Sequence, residues 1–334
     1  MMKKWCINMF VVLTAALLAC CTQKNDEEPQ ATGSLTVNVR LSSMISRAQQ
    51  PRDAMTDVTL LLVNSKNKIS TIKSESLSAE EQYAVTVSMF KKDLRLGEYT
   101  LYAFGNVNST SFTEAKTLLH GLKEGDVFDS ANMDILFSSL NGTETPAVSP
   151  SHPMLLTAST EVQINNLQNN TATIDLVRPI VWFEVRLRNH SEKDMEVTDL
   201  SFSNFNPSTG YLLPHDGKLP ASVQYRELPP YDKSNPVTVA AGGQGTVYSV
   251  TLFENRAESY LMNMTLTAEG ETAGLTNAKL MTINGETADV TPMTEQLRNQ
   301  HIIVTVDAYY NKDDAQFRFE LSSWNNKEEN VEFN

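Results

Sequence analysis

The sequence predicts an all-β fold of two tandem sandwiches. Three observations predict it. Apolar residues recur with period two far more often than with the helical period, as Leu35, Val37, Val39 and Leu41 do against Thr36, Asn38 and Arg40. The candidate strands are many, short and separated by turn residues, which suits sandwiches better than a doubly wound sheet. The chain has 334 residues and is 41% hydrophobic, enough for a sizeable core and a length for one large domain or two ordinary ones.

In chain order, residues 1–19 come first. They open with Lys3 and Lys4, continue as an apolar run from Trp5 to Ala19 and end before Cys20-Cys21. A basic start, a short apolar stretch and a small residue before the cut describe a secretory signal, too short to span a bilayer. Leu17-Leu18-Ala19-Cys20 resembles the lipobox of bacterial lipoproteins. That resemblance implies acylation of Cys20, with Cys21 as the alternative. Two or three acyl chains, at about 0.8 kcal/mol per buried methylene, anchor a protein without a span. Residues 20–32, with Asn25-Asp26-Glu27-Glu28-Pro29, read as an acidic flexible tether. The stretch resembles the one that directs some Bacteroidetes lipoproteins to the outer face of the outer membrane.

The first sandwich is assigned to 33–168. Its strands are expected near 35–41, 58–63, 83–89, 98–104, 154–158 and 161–164. The apolar run Val58-Thr59-Leu60-Leu61-Leu62-Val63 reads as a buried strand. The one helix signal is 112–122, where Ala115, Leu118 and Leu119 have helical spacing. Polar stretches at 141–152 and 165–170 read as loops, and the second places the boundary near residue 168. The second sandwich, 169–334, takes strands near 171–177, 181–187, 197–205, 236–240, 246–253, 261–268, 278–283, 302–309 and 316–321. The stretch 206–235 holds Pro207, Pro214, Pro220, Pro229 and Pro230 and adjoins Pro236. It is long for a connection and is expected to be a surface excursion.

The charge balance is 27 basic against 40 acidic residues, net −13. Such a surface repels phosphate backbones, so no nucleic acid is expected as a partner. The same charge argues against direct adhesion to anionic lipid. All three cysteines lie in the first 21 residues, so the body has no disulfide, thiolate metal site or cysteine nucleophile. His120, His152, His190, His215 and His301 have neither helical zinc spacing nor a recognisable Ser or acid partner. His301 reads as a strand-end polar group. Gly242-Gly243-Gln244-Gly245 precedes a strand and reads as a turn rather than a phosphate loop. Asp313-Asp314 reads as a solvated turn, and no carboxylate pair is nominated for glycoside chemistry. No catalytic residue, metal ligand or cofactor is expected, and the chain is not expected to be an enzyme.

Several stretches together resemble the Bacteroidetes fimbrillins, the lipoprotein-derived subunits of type V pili. They are Gly33-Ser34-Leu35-Thr36-Val37-Asn38-Val39, Asp57-Val58-Thr59-Leu60-Leu61-Leu62-Val63-Asn64 and Gly97-Glu98-Tyr99-Thr100-Leu101-Tyr102-Ala103-Phe104-Gly105-Asn106. His152-Pro153-Met154, the run from Leu176 to Val185 with Trp182, Leu252-Phe253-Glu254-Asn255 and Trp324 complete the set. The resemblance implies transthyretin-like sandwiches and assembly by strand exchange. A protease cuts after an arginine in the loop behind the first strand, that strand leaves, and a neighbouring subunit's strand completes the open edge. Carried onto this sequence, Leu35, Val37, Val39 and Leu41 are the removable plug. At roughly 1.5–3 kcal/mol each they fill a groove worth on the order of 6–12 kcal/mol. Arg47 is the expected cleavage site and Arg52 the alternative. In the C-terminal tail only Val331 and Phe333 alternate, a weak donor row. Asp129-Ser130-Ala131 resembles the motif for periplasmic O-glycosylation, which marks Ser130.

The expected function is that of a structural subunit, tip or anchor of an adhesive surface pilus. Its expected partners are other fimbrial subunits, a host or bacterial surface ligand, and outer-membrane lipid through the acyl anchor. The alternative is a non-fimbrial surface lipoprotein binding glycan through its loops, with Tyr211, Tyr225, Tyr231 and Trp182 as stacking aromatics.

Overall fold

The computed structural model describes residues 33–42, 54–91, 94–109, 113–130, 155–166, 168–207, 210–215, 219, 224–228, 230–283, 290–311 and 316–325. Seven strands come from the first half: β1 (Gly33–Leu41), β2 (Asp57–Asn64), β3 (Ile69–Ser76), β4 (Ala84–Lys91), β5 (Gly97–Gly105), β6 (Leu156–Ile164) and β7 (Asn170–Leu176). Helix α1 (Thr113–Gly121) lies between β5 and β6. The longer strands of the second half are β8 (Ile180–Asn189), β9 (Met195–Ser203), β13 (Gln244–Phe253), β15 (Leu261–Ala268), β16 (Glu271–Lys279), β20 (His301–Asn311) and β21 (Gln316–Asn325). Between them fall short pairing segments: β10 (Asn206–Pro207), β11 (Tyr225–Arg226), β12 (Val237–Val239), β14 (Asn255–Arg256), β17 (Met281–Ile283), β18 (Val290–Pro292) and β19 (Glu295–Gln296).

The first unit stacks the sheet β3-β2-β5-β6 on the sheet β4-β1-β7. Alternation decides which side chains meet between them. Leu35, Val37 and Val39 from β1 join Val85, Val87 and Met89 from β4, and face Val58, Leu60 and Leu62 from β2. On β4 the intervening residues are exposed, so this sheet has one dry face. β2 differs: seven of its eight residues are buried. Its second face carries Leu61 and Val63, covered by Ala115 and Leu119 of α1. The unbroken apolar run follows from this two-sided burial.

β7 begins after residue 168 yet pairs in parallel with β1. By sheet membership β7 goes with the first unit, and the sheets of the second begin with β8. The polar stretch read at 165–170 separates β6 from β7 in the chain.

The second unit stacks β12-β9-β15-β16 on β13-β8-β20-β21. Val181, Phe183, Val185 and Leu187 of β8 are fully buried and pack with Ile302, Val304, Val306 and Ala308 of β20. β8 and β20 run parallel, and β21 closes the sheet as an edge strand antiparallel to β20.

A third apolar cluster joins the units. Leu61, Phe104 and Leu119 of the first meet Ile180, Leu212, Leu213 and Phe253 of the second. Leu212 and Leu213 come from the proline-rich stretch 206–235, and Tyr231 from the same stretch is buried in the second core. That stretch is thus partly interior rather than a surface excursion; its apolar residues serve two cores. Polar contacts tie the same seam. Arg298 is ion-paired with Glu254 and donates to the carbonyls of Tyr211 (2.9 Å) and Leu212 (3.2 Å). The Thr157 hydroxyl donates to the Leu212 carbonyl at 2.7 Å. Arg178 donates to Asn299 Oδ1 at 2.8 Å. Both partners of each charged contact lie out of water, so each is anchored by several hydrogen bonds rather than by charge alone.

Leu101 on β5 is fully buried between the two sheets of the first unit. Leu101→Ala is expected to lower stability by about 2–5 kcal/mol, read as a shift of the urea midpoint at constant slope.

Candidate functional site

Among the expected site residues, Leu35, Val37, Val39 and Leu41 lie on one described strand. Cys20, Cys21, Arg47, Arg52, Val331 and Phe333 lie outside the described residues. Ser130 is half-buried, in a helical residue just beyond Phe128, which packs beneath α1.

β1 is the centre strand of its sheet. It pairs antiparallel with β4, Val37 opposite Val87, and in parallel with β7, Val37 opposite Ala172. Both edges of β1 are occupied, because β7 closes the far side. Leu35, Val37 and Val39 are 1%, 0% and 0% exposed. Leu41 is half-buried at the margin of the same cluster, so three plug residues are core and the fourth is rim.

The other face of β1 is polar and adds register. Asn38 Oδ1 accepts from Thr86 at 3.1 Å. Arg40 makes a two-pronged contact with Asp175, 2.7 and 2.9 Å. Both side chains of that pair are more than half exposed, so it orients β1 against β7 and adds little stability. At the start of the strand Asn170 Nδ2 donates to the Ser34 carbonyl at 3.0 Å. Gly33 is there because space demands it: a Cβ on Gly33 would lie 2.3 Å from Leu94 Cβ. Beyond the strand, the Ser42 amide donates to the Leu176 carbonyl at 2.9 Å, and Asn299 Nδ2 reaches Ser42 Oγ at 3.4 Å.

A polar cluster not foreseen from the sequence sits on the outer face of the second unit. Glu184 and His301 are both buried and meet at 3.0 Å, Oε2 to Nε2. Trp182 stacks on the His301 ring at 3.9 Å between centroids and 5° between planes. Arg186 Nε donates to Glu184 Oε1 at 2.7 Å, and the Thr246 hydroxyl donates to the same oxygen at 2.5 Å. Burial pushes His301 below its ordinary 6.5, only partly opposed by the Glu184 contact. Burial pushes Glu184 up, but the hydrogen bonds of Arg186, Thr246 and His301 outweigh it and leave the carboxyl below its ordinary 4.5. A neutral imidazole donating to a carboxylate satisfies both shifts. Alternation on β8 places Glu184 two residues from Trp182 and Arg186, a signal present in the sequence; its meeting with His301 needs the parallel pairing of β8 with β20.

The four aromatics of the glycan-binding alternative do not gather. Tyr231 donates to the Val197 carbonyl inside the core, Tyr225 to the Arg256 carbonyl, Tyr211 packs on His215, and Trp182 covers His301. No two of these four are in ring contact among the described residues.

Two outcomes are expected. Val37→Ala lowers stability by about 1–3 kcal/mol, while Arg40→Ala leaves the denaturation midpoint nearly unchanged; equal effects would contradict a core role for the apolar face. For Glu184 and His301 the unfolded chain binds protons more readily than the folded one, so acid destabilises through both groups. His301 contributes as pH falls below 6.5 and Glu184 below 4.5. His301→Gln is therefore expected to flatten the loss of stability between about pH 7 and pH 5, measured by denaturant midpoints across that range.

The chain matches a family model described as Fimbrillin-A associated anchor proteins Mfa1 and Mfa2 over residues 25–330. No curated protein matches it. Among solved structures it is similar to a protein of Parabacteroides distasonis ATCC 8503 with a suggested role in cell adhesion. The TM-score is 0.51 at 11% identity, over 89% of this chain and 98% of that one. It is also similar to the C-terminally truncated tip fimbrial protein Mfa3 of Porphyromonas gingivalis, with TM-score 0.48, 14% identity, and coverage of 88% and 100%. A third likeness is to the fimbrial anchor protein Mfa2 of the same species, with TM-score 0.34, 10% identity, and coverage of 88% and 98%. The first likeness supports the all-β fold. The family match takes in β1 and both sandwiches, and on it the chain belongs to the family of fimbrillin-A associated anchor proteins Mfa1 and Mfa2.

Proposed function

We propose that this fimbrial protein is a lipid-anchored subunit of a cell-surface pilus whose assembly turns on β1. The observation that supports the reading is the seat of that strand. β1 lies between β4 and β7, with Leu35, Val37 and Val39 in the core. Its removal would leave an apolar groove and two rows of unpaired backbone groups, a combination that demands a replacement strand.

In this reading acyl chains on Cys20, or on Cys21 in its place, hold the chain in the outer membrane. Cleavage after Arg47, or after Arg52, separates β1 and the lipid from the body together. While β1 stays, the groove is full and the subunit ends the fibre at the membrane as an anchor. Once β1 leaves, the groove accepts a strand from the neighbouring fimbrial subunit. The subunit's own donor row would be Val331 and Phe333, two apolar residues that follow the edge strand β21. So short a row favours the anchor position over the stalk. The two sandwiches are the domains of the subunit, and Ser130 is its site for an O-linked glycan. Its further partner is a ligand on a host or bacterial surface.

Limited digestion with an arginine-specific protease tests this. The expected result is loss of the segment ending at Arg47, followed by multimers that persist on a gel, with Arg47→Gln and Arg52→Gln together blocking both events. A trimmed protein that stays monomeric would remove strand exchange from the account.

A further inference from the structure

The end of the first sandwich where β1 begins gathers cations and exposed apolar side chains. A cavity of about 410 Å3 opens there between the β2–β3 hairpin and the segment leading into β5. Lys66, Lys68, Lys91 and Arg95 line it, and among the described lining residues Glu98 is the one carboxylate. Lys91 is held in place, donating to the Ser70 carbonyl and lying 3.2 Å from Glu124. The Arg95 backbone is held by the Tyr99 hydroxyl, which donates to its carbonyl at 3.0 Å. Lys66, Lys68 and Arg95 are exposed, and among the described residues none of the three has a carboxylate partner. Elsewhere Arg40, Lys73, Lys193, Lys233 and Arg256 each sit beside one. The chain as a whole carries a net charge of −13, so a cavity lined by four cations has a local charge opposite to the average.

The same end carries protruding apolar side chains. Phe90, Leu96 and Val127 are 67%, 59% and 64% exposed, three of the five large hydrophobics that stand out among the described residues. Leu96 lines the cavity, Phe90 precedes Lys91, and Val127 bridges to Lys68. Cations around protruding apolar groups match a lipid surface, where phosphates take the charge and the apolar tips enter the acyl boundary.

Position favours the same partner. Gly33 pairs with Lys91, so the chain preceding β1 emerges at this cavity. The second unit attaches at the opposite end of β1, where Asn299 reaches Ser42. Twelve residues separate Cys20 from Gly33. A flexible linker of that length has a root-mean-square span of about 19 Å, which keeps this end at the bilayer surface at high effective concentration. The net negative charge does not oppose this, because exposed charges more than about 8 Å away are screened at physiological salt.

We infer that this end of the first sandwich is a membrane-docking site: the Lys66, Lys68, Lys91 and Arg95 cavity takes the phosphate of a lipid headgroup, and Phe90 and Leu96 enter the interface beside it. The inference builds on anchoring at Cys20 but is tested without it. The probe is the mature chain from residue 20, produced without acylation and mixed with phosphatidylcholine vesicles with or without phosphatidylglycerol. The expected result is flotation with the anionic vesicles alone, lost in high salt. Lys66→Gln, Lys68→Gln and Arg95→Gln together should weaken it by about tenfold or more at an unchanged melting temperature. Phe90→Ser with Leu96→Ser should weaken it while leaving the charges intact. Equal partition onto neutral vesicles, or undiminished flotation of the triple variant, overturns the proposal. So does inorganic phosphate raising the melting temperature while anionic vesicles fail to bind, which would make the cavity a site for soluble phosphate. Palmitate labelling tests acylation of Cys20 separately, so either reading can fail alone.

Discussion

The first sandwich depends on a strand that its own sheet cannot close without. In the strand order β4-β1-β7, β1 lies between its neighbours and pairs with both, and its apolar row completes the core over β2. Because β1 is antiparallel to one neighbour and parallel to the other, those neighbours run antiparallel to each other. Any strand occupying that slot, in either direction, makes one ladder of each kind. The slot thus constrains side-chain pattern more than chain direction: apolar residues at every second position, facing inward.

The rest of the molecule is arranged so that this dependence stays local. β2 is buried on both faces, and its second face is covered by α1 and by Leu212 and Leu213 of the second unit. Arg298, Glu254 and Thr157 tie the same seam with contacts that do not involve β1. The Asn299–Ser42 contact crosses from the seam to the end of the plug strand. The union of the two sandwiches therefore does not rest on the strand whose departure the proposed assembly requires.

Chemistry is also distributed along this axis. The second unit lies at one end of β1, with its ordered polar cluster of Glu184, His301, Arg186 and Trp182 on an outer sheet face. Lys66, Lys68, Arg95 and the protruding apolar residues lie at the other end, where β1 begins. An acidic chain repels anions on average, but screening over a few ångströms lets a local excess of lysine and arginine set the behaviour of one end.

The period-two alternation by itself determined the fold class, the position of most strands and the apolar face of β1, because side-chain direction in a strand follows from position alone. The apolar run at 58–63 marked a buried strand from local composition alone, and the structure buries it on both faces. Pairing was not legible in the same way. That β1 is central rather than at an edge depends on β7, some 130 residues away in the chain, and an alternating strand looks the same in either place. The same holds for β7 itself, which the polar stretch at 165–170 separates from β6 in the chain and the sheet retains, and for Leu212 and Leu213, whose proline-rich setting reads as surface. Glu184 with His301, and Lys66 and Lys68 with Arg95, are brought together only by register and by loops meeting at one end of a sandwich. Those meetings are long-range, and only the tertiary structure decided them.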